Sequence, residues 1–123
     1  MIIALVLNAD ETVVPIVEGT VLRIYDAVKK QIQDYENPAQ FLQEGRRGAT
    51  LSFAEDKGAT VFVAPPQTFC ELSYEKAVKD GIHFISLERS LSFPELLRLL
   101  ESGQLNIGDK LSGDEIAPSQ IVH

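Results

Sequence analysis

The residues of this chain whose types suit chemistry are few: one cysteine, Cys70, two histidines, His83 and His123, and an arginine pair set between glycines, Gly45-Arg46-Arg47-Gly48. A protein-held zinc or iron–sulfur centre takes about four Cys or His ligands, so three such residues do not close one. Ligands shared across subunits, or a group that arrives as a preformed cluster, would be needed. Thr68 and Glu71 stand at capping-box spacing, which predicts a helix with Cys70 at its second position. There the free N–H groups and the helix dipole stabilise a thiolate, a soft-metal ligand. Cys70 also begins the series Cys70, Tyr74, Ala77, Val78, the i, i+4, i+7, i+8 spacing of a buried stripe. Both roles stand, with packing the commoner one for a free cysteine.

The arginine pair is the strongest local signal. A helix predicted to begin there offers its unpaired N–H groups to anions. Two guanidinium groups beside it suit a carboxylate, a phosphate or an anionic cluster; the alternative is a pair that simply solvates a loop. His83 alternates with Ile85 and Leu87 in "IHFISL" and is expected to be half-buried or in the core, and His123 is the last residue. Neither accompanies a serine or cysteine nucleophile motif. A two-metal nuclease would gather carboxylates on its central strands. Here the first apolar run has no acid before Asp10, and the fourth strand ends in Ala64-Pro65-Pro66. The expectation is a protein that is not an enzyme: a binding module, or else a regulatory or structural interaction domain that pairs with a partner protein or a second copy.

Eleven Lys and Arg against eighteen Asp and Glu give a net charge of −7. That field repels phosphate backbones and anionic lipid, which argues against nucleic acid and membrane as partners. The opening apolar run stops at Asn8 and lacks a positive flank, too short for a signal-peptide core or a membrane span. With a single cysteine and no export signal, the cytoplasm is the expected compartment.

The elements that must position these residues follow from periodicity. "IIALVL" is the continuous apolar run of a strand buried on both faces. "TVLRIYDA" and "KQIQDYEN" make an antiparallel meander, with Leu22, Ile24 and Ile32 marking its buried face. Then "RRGATLSFAEDKG" predicts a helix closed by Gly58, "ATVFVA" a strand, "TFCELSYEKAVKDG" a helix closed by Gly81, and "IHFISL" a strand. "SFPELLRLLESG" predicts a third helix, with Ser92 and Glu95 in capping-box spacing and Phe93, Leu96, Leu97 and Leu100 on one stripe. The order is βββαβαβα. It specifies an α/β fold with a mixed five-stranded sheet: the meander on one side of the first strand, two parallel strands on the other, and helices on the faces. Residues 1–105 form one domain, and 106–123 are expected to be a loosely attached tail.

This order, together with "ENP" at 36–38, Gly48 opening a helix and two helix-Gly-strand units, resembles the nitrogenase iron-molybdenum cofactor biosynthesis accessory family. Where many members of that family carry a His-Gly at the start of the first helix, this chain has Arg47-Gly48, and Glu18-Gly19-Thr20 stands near their Phe-Gly-Arg. The resemblance implies a ribonuclease H-like fold and a small carrier or insertion protein for an iron-sulfur or iron-molybdenum cluster. The positions through which such an anionic ligand would be bound here are Arg46, Arg47, Gly48 and Cys70.

Overall fold

The computed structural model describes residues 1–118. The chain runs β1 (Ile2–Leu7), β2 (Val21–Asp26), β3 (Gln31–Glu36), α1 (Arg46–Asp56), β4 (Val61–Ala64), α2 (Glu71–Lys79), β5 (His83–Ser86), α3 (Phe93–Glu101) and β6 (Ile107–Gly108). The strands form one open sheet in the order β3-β2-β1-β4-β5-β6. β1, β4 and β5 are mutually parallel, and β2, β3 and β6 pair antiparallel to their neighbours. The meander and the parallel strands thus flank β1 as expected.

The sheet has six strands rather than five. Ile107 and Gly108 pair with Ile85 and Phe84, supplied by the segment expected to be a tail. Two residues with no apolar run carry no periodic signal; only the open edge of β5 makes them a strand. The chain then continues across the molecule to Ala117, whose N–H donates to Phe69 O at 2.8 Å.

β1 explains the layering. Its alternate residues Ala4 and Val6 face a core shared with Leu51, Phe62, Phe69, Ala77 and Phe84, covered by α1 and α2. Ile3, Leu5 and Leu7 face a second core closed by Phe93 and Leu96 of α3. A strand buried on both sides has no polar alternation. α3 begins as expected: the Ser92 hydroxyl accepts the Glu95 N–H at 3.3 Å.

The outer strand of the meander departs from expectation. Ile32 pairs with Tyr25, on the face opposite Leu22 and Ile24, and is exposed. One residue of register moves a side chain across the sheet. Tyr35, paired with Leu22, packs on the face Ile32 was expected to fill, while on Ile32's own side Asp34 reaches Arg23, which is 7% exposed in the middle of β2. The guanidinium donates to Asp34 at 2.7 and 2.9 Å and to Glu11 at 2.9 and 3.2 Å, and lies 4.6 Å from the Phe93 ring centroid.

Asn37 of the "ENP" segment has a structural task. Its side-chain amide donates to Ile16 O and Gly19 O at 2.8 and 2.9 Å, and its carbonyl accepts from the Thr50 hydroxyl at 2.6 Å and from the Ala39 N–H at 3.2 Å. Four bonds from one buried side chain fasten the loops beside α1. At Gly19 a Cβ would lie 2.4 Å from Val6 Cγ1 and 2.6 Å from Leu7 O, so a turn this close to β1 requires glycine.

Candidate functional site

α1 and α2 cover the same face of the sheet, and their first turns border a cleft of about 620 Å³. One wall is the segment from Gln43 to Gly48; the other carries Cys70, Leu72, Ser73 and Lys76. The arginine pair and the cysteine, more than twenty residues apart in sequence, therefore meet across one opening.

The two arginines do different things. Arg46 Nε donates to Ala39 O at 2.8 Å and its Nη2 to Val17 O at 3.3 Å, so this side chain staples two loops to the start of α1. Arg47 Nη2 makes a long 3.4 Å bond to Gln67 O. Its Nε atom is buried and finds no hydrogen-bond partner among the described residues. Leaving a buried donor unpaired carries a desolvation cost, which makes this the group in the cleft most in want of an acceptor. Gly45 precedes the helix with φ 64° and supplies no capping side chain. Among the described residues the first N–H groups of α1 thus lack a capping side-chain acceptor and face the same need. An added Cβ at Gly48 would meet nothing within 4 Å, so the backbone there is open to approach.

Cys70 is the N-cap of α2 rather than its second residue. Ser73 Oγ accepts the Cys70 N–H at 2.9 Å, while Sγ lies 3.3 Å from the same hydroxyl. Thr68, read as the cap, instead donates its hydroxyl to Pro65 O at 2.6 Å and closes the preceding turn. The two-residue shift takes Cys70 off the helix stripe: it is half-buried, Val78 is exposed, and Phe69, Ser73 and Ala77 form the inward side. Burial pushes the thiol up, but the Ser73 hydroxyl and N–H, the Arg47 charge and the Leu72 N–H outweigh it, so the thiol lies below the ordinary range. A thiol poised this way at the mouth of a cleft is nucleophilic and can ligate.

Lys76 is paired within the cleft wall, with Glu55 at 2.7 Å and Asp80 at 2.6 Å. Its ammonium is largely neutralised locally, leaving Arg47 and the α1 amides as the anion-seeking groups. Among the described residues no group of three or more His, Cys, Asp or Glu could hold a metal ion. His83 is exposed at the start of β5, not half-buried: it shares a face with Ile85 but stands outside the core that covers Ile85. His123 lies outside the described residues. No helix among them is long and apolar enough to cross a membrane.

Gln67, Ser73 and Lys76 escaped sequence reading. Ser73 alone had a signal, since it stands three residues after Cys70 as a capping partner would.

No family model matches the chain, and no curated protein matches it. Solved structures do. The apo form of the orange protein from Desulfovibrio gigas superposes with a TM-score of 0.73 at 17% identity, over 87% of this chain and 92% of that one. An NMR structure of a candidate NifB protein from Thermotoga, of the DUF35 family, gives 0.62 at 16% identity, over 90% and 96%. At these identities the likeness is one of fold.

Proposed function

We propose that the protein is a non-enzymatic binding or carrier module whose ligand is an anionic metal cluster or related anion, taken up in the cleft between α1 and α2. The observation that carries this reading is the unpartnered, buried Nε of Arg47 beside the uncapped N-terminus of α1. Guanidinium and helix-end N–H groups together recognise oxyanions and anionic sulfur clusters by charge and direction. Cys70, across the opening, adds one soft donor.

The donor set suits a group that brings its own ligands. One thiol cannot hold an iron–sulfur or iron-molybdenum cluster that needs about four protein donors, whereas a preformed anionic cluster needs only a cradle and at most one added ligand. Support comes from the two structural neighbours: one is a candidate NifB protein, and the other was solved in a form named apo. The ribonuclease H-like description of the sheet belongs to the same proposal, and what supports it is the meander and the two parallel strands set on opposite sides of β1. Arg46, Arg47, Gly48 and Cys70 are the residues to which we assign the ligand, Arg46 chiefly by holding the wall in place. A second reading, an interaction domain without cofactor, draws on two exposed apolar side chains, Leu72 in the cleft wall and Phe41 in the loop ahead of α1, 71% and 67% exposed.

The test is a thermal titration of the native protein with molybdate and with phosphate, alongside iron and molybdenum analysis of protein isolated anaerobically. Ligand at a hundred times its dissociation constant adds about 2.7 kcal/mol to stability. Arg47→Ala is expected to abolish that gain while leaving the unliganded protein nearly unchanged. Equal stabilisation of wild type and variant, with no metal recovered, would favour the interaction domain.

A further inference from the structure

The segment after β6 lies against the loop that separates the two walls of the cleft. Of residues 109–117, Asp109, Lys110, Ser112, Gly113 and Asp114 are exposed; attachment is through Leu111, which packs against the core under α1 and α2, through the buried Ala117, and through a few hydrogen bonds. Tyr74 Oη accepts the Leu111 N–H at 3.0 Å and faces Leu111 O at 3.5 Å. Glu115 O accepts the Gln67 N–H at 2.7 Å, and the Glu115 carboxylate accepts from the hydroxyls of Ser86 and Ser112. Ala117 N–H donates to Phe69 O at 2.8 Å, forming a parallel bridge at Cys70.

These points of attachment are one step from the cleft. Gln67 receives the segment through its N–H and Arg47 through its C=O, so one residue joins the two. Its φ is 69°, a left-handed conformation that a non-glycine residue keeps only while something holds it. Phe69, the other anchor, immediately precedes Cys70. Without the segment, nothing at the Gln67 N–H would hold that conformation or the carbonyl it aims at Arg47, and Cys70 would lose the Ala117 bridge beside it. We propose that residues 109–117 are a releasable strap, which by holding Gln67 and Phe69 keeps Arg47 engaged and Cys70 half-covered, so that its release opens the cleft. This rests on the reading of the cleft as the binding site. The strap would then set when the site is available to an anionic ligand, as a shift between two populated states.

The experiment uses the full chain. Ala117→Pro removes the N–H that reaches Phe69. Limited proteolysis reports whether the strap is released, and labelling of Cys70 by an uncharged maleimide under native conditions reports the cleft. The expected result is faster cleavage within 109–118 and a Cys70 labelling rate raised at least about 5-fold, the factor associated with losing one such hydrogen bond. Tyr74→Phe with Glu115→Ala is the second variant and should act the same way. Released strap with an unchanged labelling rate overturns the proposal. So do protease protection unchanged in both variants, and loss of a cooperative transition in both, which would make the segment an integral part of the fold. Maleimide labelling needs no bound anion, so it fails or succeeds independently of the molybdate and phosphate titrations.

Discussion

The charged group inside β2 makes an unequal pair of substitutions. Arg23 is buried, but the carboxylates that hold it are about half exposed, Glu11 at 53% and Asp34 at 44%. Changing Arg23 to Met removes four charge-assisted hydrogen bonds and the stacking on Phe93, yet both carboxylates can return to water and a linear apolar side chain refills much of the space. With the exposed partners discounted for solvent screening, the loss is about 1–2 kcal/mol. Changing Glu11 to Gln and Asp34 to Asn together leaves the guanidinium in place with neutral partners, a buried charge without its counter-charge, at about 3–5 kcal/mol. The removal of two half-exposed acids should therefore harm the protein more than removal of the buried base. Urea unfolding at neutral pH measures both variants. The Glu11 carboxyl is held below the ordinary range by its bonds to Arg23 and by that charge. A lowered folded value means its contribution is present above the unfolded value and is lost as pH falls through the folded one. The cost of the double change should thus shrink in acid, below about pH 4. A double variant that unfolds at the same or higher urea than Arg23→Met at pH 7 refutes this account of the cluster.

Two further outcomes are expected. Gly19→Ala should destabilise by about 3 kcal/mol or more, because its methyl would meet Val6 and the Leu7 carbonyl within 2.6 Å; a thermal midpoint within a degree or two of wild type would show that the turn can move. The pH profile of Cys70 labelling should have its midpoint below that of a free thiol, and Ser73→Ala should move it upward, since the serine hydroxyl is the largest of the influences that lower it; a midpoint unmoved in Ser73→Ala would reassign the shift to Arg47 and the helix end.

How much of this molecule is local shows in what was legible from sequence. The continuous apolar run of β1, the Ser92 cap and apolar stripe of α3, and the glycines after α1 and α2 are features of a few adjacent residues. Periodicity and backbone stereochemistry settle them wherever the segment lies. Element order and the handedness of crossovers then leave few ways to arrange a sheet, which is why the placement of the meander and the parallel strands around β1 could be inferred. Register and partnership could not. Ile32 lies on the face opposite the expected one because alternation fixes which residues share a side, while only pairing with Tyr25 says which side that is. Cys70 became a cap because Thr68 found a closer acceptor in Pro65, a choice between two local bonds that spacing alone does not rank. Arg46 and Arg47 are identical in type and adjacent, yet one is consumed by carbonyls of Ala39 and Val17 and the other keeps a buried donor unpaired. The sixth strand, the strap and the cleft all depend on contacts between segments far apart in sequence. Sequence alone determined the three helices, the first five strands and their order; tertiary structure added the sixth strand and decided which polar groups are satisfied, because a hydrogen bond's partner is set by where the chain returns in space.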